Sequence, residues 1–252
     1  MRRRMRKRKL RFFICGIIQL SVSVFFFFAA AFVSGNLKNH TPSAIELYDT
    51  KGLNISVAQA SSFVGQGNFA AAGTGENISV TDTGENKMVS VYYQETTSNY
   101  GEYAKLHFCE GEYFSAVVSE ENVVVIPESF SKELFQEKNE GKKRLYINGE
   151  EFTVCGVYED GDVLTQLGSA DIPVIYGKIP ENSEILAEHL LIKAEEGKTA
   201  GQQQQETAAM MKIPLEGEVN DLEWLHQLGD SILFLGVFFA GLWFVFYLCV
   251  FL

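Results

Sequence analysis

The residues best suited to metal or redox chemistry are four histidines and four cysteines. His40, His107, His189 and His226 are far apart, and none falls in the spacing of a zinc site. His107 stands two residues from Cys109, yet no second Cys/His pair lies nearby in the sequence to complete a ligand set. Cys109 and Cys155 lie in strand-like contexts in the middle of the chain. An oxidising compartment would allow a disulfide between them; two buried thiols are the alternative. Cys15 and Cys249 fall inside long apolar runs. The pairs Glu120-Glu121 and Glu150-Glu151 suit solvated strand and turn positions better than general acid–base work. The sequence holds no Gly-x-x-x-x-Gly-Lys-Ser/Thr loop and no Gly-x-Ser-x-Gly elbow, and Gly73-Thr74-Gly75 is followed at the decisive position by Ile78 instead of glycine. Asn39-His40-Thr41, Asn54-Ile55-Ser56 and Asn77-Ile78-Ser79 match glycosylation acceptors, which matter only in a eukaryotic secretory route. These residues point to a non-catalytic chain with no metal site and no cofactor of its own.

The elements around them are marked by charge. The chain has 252 residues, 21 Lys+Arg and 32 Asp+Glu, for a net charge of −11. Eight of the bases crowd into residues 1–11 with no acid among them. All 32 acids lie between 34 and 230, against 13 bases there, a local net of −19. Such an acidic body repels phosphate backbones, which argues against a nucleic-acid partner. Phe12 to Val33 and Ser231 to Leu252 are each 22 residues without a charge. At 1.5 Å rise per residue each run reaches roughly 33 Å, enough to cross a hydrocarbon core of about 30 Å. The basic head predicts a cytoplasmic N-terminus in the cell (plasma or inner) membrane. The expected division is therefore a head at 1–11, a first transmembrane helix at 12–33, an extracytoplasmic domain at 34–230 and a second transmembrane helix at 231–252. An uncharged run of this length exceeds the apolar region of a cleaved signal peptide. Gly236, Ala240 and Gly241 in the second run, and Gly16, Ser21 and Ser23 in the first, are small enough to let helices approach.

The body reads as α+β. Residues 34–46 form a polar exit segment. Ser56 to Val64 suits a short helix, followed by a turn at Gly65-Gln66-Gly67. Thr74-Gly75-Glu76-Asn77 recurs as Thr83-Gly84-Glu85-Asn86, and the strand-like stretches around the copies predict a hairpin. Val123 to Pro127 is a short apolar run of the kind found in buried strands. Glu128 to Gln136 has a helical face of Phe130, Leu134 and Phe135. Asn148-Gly149 between Leu145–Ile147 and Phe152–Val154 is a strong hairpin pair. Ile172–Tyr176 and Ile185–Lys193 are further strands, and Lys198–Lys212 a helix.

An ordered set of short motifs runs from Gly111 to Val157: Gly-Glu-Tyr-Phe (111–114), Val-Val-Val-Ile (123–126), Leu-Phe (134–135), Gly-Lys (141–142), Leu-Tyr-Ile-Asn-Gly (145–149) and Phe-Thr-Val-Cys-Gly-Val (152–157). This set resembles the extracytoplasmic core domain of MacB-like, FtsX-related ABC transporter permeases. The scaffold positions it singles out are Gly111, Phe114, Leu134, Phe135, Gly141, Gly149, Phe152, Val154, Gly156 and Val157. The resemblance implies an outer domain of two subdomains between two transmembrane helices. It also implies a permease subunit that pairs with a second permease subunit in a dimer. A separate cytosolic ABC ATPase binds and hydrolyses the ATP, and its work changes the conformation of the outer domain, for export or mechanotransmission toward a substrate or partner that the sequence does not name. Gln136 stands where the family carries glycine after Leu-Phe. The family continues into two more spans, so a chain that stops at Leu252 reads as C-terminally truncated. The alternative is a double-anchored extracellular sensor or interaction module without an ATPase. A membrane-anchored enzyme finds no nucleophile–base set to support it.

Overall fold

The computed structural model describes residues 2–64, 68–82, 88–114, 122–135, 143–160, 172–180 and 183–251. The Gly65–Gly67 turn, the second Thr-Gly-Glu-Asn copy, Glu120-Glu121 and Gly141-Lys142 lie outside them. The chain divides into two compact units, one made of the terminal helices and one of His40–Glu223.

In the helical unit, α1 spans Arg2–His40, and the last helix, numbered α6 below, spans Glu223–Phe251. Both are long and apolar enough to cross a membrane. The helix does not stop where the apolar run stops: residues 34–40, read above as an exit segment, stay helical. One glycine, Gly35, costs only about 1 kcal/mol in a helix. The chain turns away near Pro42, whose ring disfavours helical geometry in the residue before it. The last helix likewise begins eight residues ahead of its uncharged run, where the Asp221 carboxylate accepts from the Glu223 backbone N–H at 3.0 Å.

Small residues mark the buried side of each helix. Gly16, Ser23 and Ala30 are buried at seven-residue spacing on α1, and Gly229 and Gly236 at the same spacing on the last helix. A Cβ added at Gly236 would lie 2.1 Å from the Ala30 Cβ, so the two backbones meet there. Lys38 and Asp230 form an ion pair in the same unit. A repeat of seven is the signature of a left-handed crossing. The close approach uses Gly236; Gly241 has open space around its Cα. Phe32 at 74% and Phe234 at 71% exposure show the opposite side, an apolar surface with no protein cover.

The second unit contains eleven strands among the described residues. In chain order they are β1 (Ala44–Tyr48), β2 (Phe69–Gly73), β3 (Glu76–Asp82), β4 (Met88–Thr96), β5 (Phe108–Gly111), β6 (Val123–Pro127), β7 (Arg144–Ile147), β8 (Glu150–Tyr158), β9 (Val174–Lys178), β10 (Ala187–Lys193) and β11 (Glu218–Asp221). The helices are α2 (Val57–Ser62), α3 (Tyr100–Tyr103), α4 (Glu128–Phe135) and α5 (Ala200–Met211).

Two subdomains share this sheet. Strands β11-β1-β10-β2 form an antiparallel sheet. One face packs Leu47, Phe69, Leu190 and Ile192 with Val57 and Ala60 of α2 and Met211 of α5. Both helices start with a capping box, Ser56 with Gln59 and Thr199 with Gln202, which satisfies backbone N–H groups otherwise left open. In the other subdomain the pairings β4–β3, β3–β7, β7–β8, β8–β6, β6–β9 and β9–β4 close into a ring. Its apolar side chains (Ile78, Val80, Val91, Val124, Ile126, Leu145, Ile147, Phe152, Val157 and Ile175) form one core with Phe130 and Leu134 of α4. Closure removes most of the unpaired edges a sheet of short strands would otherwise expose. Strand β6 shows why Val123–Pro127 is apolar throughout. Val124 and Ile126 enter the ring, while Val123 and Val125 enter a third core with Ala44, Ala70, Leu191 and Phe114 that joins the two subdomains.

Candidate functional site

The motif positions meet around β8. Gly111 and Gly156 are register partners on β5 and β8. Gly111 has φ +65°, and a Cβ there would fall 2.1 Å from the Cys155 carbonyl oxygen. At Gly156 a Cβ would fall 2.6 Å from the Glu112 carbonyl oxygen. In the β6–β8 ladder Val124 pairs with Val154 and Val125 with Gly156, so Cys155 is the extra residue of a bulge. The bulge explains the motif's spacing: Phe152 and Val154 join the ring core two apart, and Val157 rejoins it three further on. Asn148 at φ 51° and Gly149 at φ 87° form the left-handed pair of a type I′ hairpin between β7 and β8. Phe114 is buried in the joining core, Leu134 is buried in the ring and Phe135 packs at its margin. Gly141 lies outside the described residues.

The structure does not bridge Cys109 and Cys155. Cys109 is itself the irregular residue of the β5–β8 pairing; its Sγ donates to the Val157 carbonyl at 3.3 Å, while Cys155 Sγ donates to the Val124 carbonyl at 3.3 Å. Burial, followed by the Glu128 carboxylate, pushes the Cys109 thiol up from its ordinary range. Among the described residues no three His, Cys, Asp or Glu side chains converge as a metal site would require. His40 and His107 stack edge to face at 4.9 Å, tying the chain's way into the domain to the residue before β5.

A feature that sequence reasoning missed lies where the chain enters and leaves the second unit. Ser43 Oγ donates to Glu223 Oε2 at 2.5 Å, and the Leu222 N–H donates to the Ala44 carbonyl at 3.1 Å. Strand β1, the first after α1, pairs directly with β11, the last before α6, with Ile45 opposite Asp221. The two ends of the domain are therefore fastened to each other.

Two polar clusters built on buried carboxylates flank β10. Glu46 of β1 is only 6% exposed. It contacts His189 Nδ1 of β10 at 2.7 Å and accepts from Asn220 Nδ2 of β11 at 3.2 Å. Next to His189, Glu188 is 8% exposed and accepts from the Tyr92 hydroxyl of β4 at 3.1 Å and the Gly75 N–H at 3.3 Å. Buried carboxylates persist only when partnered in this way. Burial and then Glu188 push the Tyr92 phenol up to about 12, so it stays protonated and donates. Tyr48, stacked on His189 at 4.8 Å, is raised by burial, then by Glu188 and Glu46. One cluster joins β11, β1 and β10, and the other joins β10 to β4 of the ring. Their sequence signal is an acid inside a largely apolar strand, alone in Ala44-Ile45-Glu46-Leu47 and beside a histidine in Ala187-Glu188-His189-Leu190.

An α+β domain of two subdomains, fastened at its ends and lying in the chain between two helices long and apolar enough to cross a membrane, defines the class: a membrane protein with a folded domain between its helices. The family described as MacB-like periplasmic core domain matches residues 17–210, and the chain belongs to that family, among the FtsX-related ABC transporter permeases. The periplasmic region of MacB from Actinobacillus actinomycetemcomitans aligns with a TM-score of 0.56 at 13% identity, over 77% of this chain and 96% of that one. A domain of a permease protein from Porphyromonas gingivalis gives 0.51 at 13% identity, over 73% and 91%. The extracellular domain of the noncanonic ABC-type transporter YknZ from Gram-positive bacteria gives 0.48 at 13% identity, over 67% and 92%. A search of the curated proteins finds no match.

Proposed function

We propose that this chain is the permease subunit of an ABC-type transporter whose ATP is hydrolysed by a separate cytosolic subunit, and that the chain itself is mechanical. The N-terminal head faces the cytoplasm, residues 34–230 lie outside, and the helices at 12–33 and 231–252 cross the membrane. Two such subunits work as a dimer. A change in the separation or tilt of the helices loads the outer domain at one place, where β1 and β11 are paired.

The observation that carries this reading is the fastening of the domain's two ends, Ser43 to Glu223 and Leu222 to Ala44. Anchors joined to distant parts of a domain would strain it; anchors joined to neighbouring strands move a rigid edge. The two clusters on β10, Glu46 with His189 and Glu188 with Tyr92, would pass that movement through β10 to the ring. The motif glycines fit the same picture, because Gly111 and Gly156 allow the close backbone approach of β5 and β8, a scaffold role.

The test uses the protein in its native membrane, with cysteines introduced singly in a variant lacking the native ones. An impermeant maleimide should label S62C in intact cells and K7C only after permeabilisation. Affinity capture of the same protein should bring down an ABC-type ATPase whose hydrolysis rate changes when S43A and E223Q loosen the fastening. Outside labelling without any captured ATPase would favour an anchored sensor or interaction module. Labelling of K7C in intact cells would overturn the orientation.

A further inference from the structure

Beside the fastened ends lies a cavity of about 280 Å³, lined by Ser43, Ala44, Glu102, Tyr103, Lys105 and Lys193. Its walls come from separate elements: Lys193 stands on β10 opposite Ala44 of β1, while Lys105 follows α3. Lys105 holds a left-handed backbone at φ 53°, a conformation uncommon for a residue with a side chain. It is fixed there by its N–H bond to the Glu102 carbonyl at 3.2 Å and by the Leu106 N–H bond to the Gly101 carbonyl at 2.9 Å. This helix-ending turn fixes the backbone of a lysine that lines the cavity. The size is near the lower end for small-ligand pockets, about 300 Å³, and suits a headgroup better than a whole lipid.

The chemistry is two-signed. Two ammonium groups and a hydroxyl suit phosphate oxygens; Lys is a point-charge phosphate binder. A carboxylate, Glu102, beside an aromatic ring, Tyr103, suits an ammonium. The surroundings decide between a net anion and a zwitterion. The segment from 34 to 230 carries −19, a field that opposes a net-anionic ligand and leaves a neutral zwitterion unpenalised. Ser43 also lies three residues past the end of α1, within about 11 Å of extended chain of a helix that carries an apolar run.

We propose that this cavity holds the headgroup of a zwitterionic aminoalkyl phospholipid, with the phosphate at Lys105 and Lys193 and the ammonium at Glu102 and Tyr103. The site would give the domain a direct hold on lipid besides its covalent link to the helices. The proposal rests on residues 34–230 lying outside an anchoring membrane, a reading that the S62C labelling tests on its own.

The experiment uses the full chain in nanodiscs of equal phosphatidylethanolamine and phosphatidylglycerol, released for native mass spectrometry. Phosphatidylethanolamine should be retained in preference. The K105Q/K193Q pair should lose about tenfold of that retention, the scale of one charge-assisted hydrogen bond. The exposed E102Q variant, which leaves both lysines in place, should abolish the preference between the two lipids. Equal or greater retention of phosphatidylglycerol by the parent, or unchanged retention by both variants, would overturn the proposal. In a lipid-poor detergent arm, binding of soluble O-phosphoethanolamine without any lipid retention would assign the cavity to a soluble phosphate compound and overturn the lipid source.

Discussion

Replacing Gly111 by alanine separates two costs that usually come together. The first is conformational: φ +65° for a residue with a Cβ costs about 1–2 kcal/mol. The second is steric. The new Cβ would sit 2.1 Å from the Cys155 carbonyl oxygen, against 3.4 Å for ordinary contact, so the bulge must open by more than an ångström. That oxygen also accepts the Glu112 N–H at 3.3 Å, a bond the movement would break. Overpacking of this kind costs about 1–3 kcal/mol, for a total of about 2–5 kcal/mol. Gly149→Ala and Gly156→Ala isolate the parts. Gly149 has φ +87° and open space, so it carries the conformational cost alone, about 1–2 kcal/mol. Gly156 has no positive φ but meets Glu112 at 2.6 Å, so it carries the steric cost alone, about 1–3 kcal/mol. Pulse proteolysis of the full chain in detergent across a urea series reads all three. With a slope of about 2 kcal/mol per molar urea, the Gly111 variant should move the midpoint by roughly 1–2.5 M. A shift for Gly111→Ala no larger than that for Gly149→Ala would refute the reasoning.

Two further substitutions test other parts of the molecule. Gly236→Ile places a branched side chain where even a Cβ lies 2.1 Å from Ala30, so the helices should part; oxidative crosslinking of a K38C/D230C pair, efficient in the parent, should fall sharply, and undiminished crosslinking would remove the close approach. Glu95 is raised above its ordinary value of 4.5 by burial, partly opposed by the Ser183 hydroxyl donating at 2.6 Å, so the stability held by its protonated form is full below about pH 4.5 and is lost as pH rises through the raised value. Glu95→Gln keeps an acceptor for Ser183 and should therefore melt higher than the parent at pH 7, with the difference closing toward pH 4; a constant difference across that range would show that titration is not its source.

Local features of this fold were legible in the sequence because their causes are local. The apolar run at Val123–Pro127 is a strand buried on both faces, and Asn148-Gly149 makes the turn its φ preferences demand. The extension of α1 to His40 was not legible, because absence of charge marks solubility in lipid, whereas helix termination is set by Pro42. Ring closure was not legible: it depends on β9 pairing with β4 in parallel and with β6 antiparallel, contacts between residues more than forty positions apart that no short motif encodes. The bulge at Cys155 was half visible, since the interval from Val154 to Val157 breaks a spacing of two. The carboxylates of Glu46 and Glu188 were passed over because acids are usually solvated, and only the packing of β1 against β10 and β10 near β4 shows that these two are buried and partnered.

The fastening of Ser43 to Glu223 also bears on how such proteins diversify. A domain whose first and last strands are neighbours asks little of its host beyond two adjacent attachment points, and domains of that kind are the ones that tolerate insertion into a loop. Exchange of residues 40–223 between hosts should therefore leave the Gly236 and Ala30 contact of the helices untouched. Chimaeras that join at His40 and Glu223 place their seams where the fold itself changes from one unit to the other.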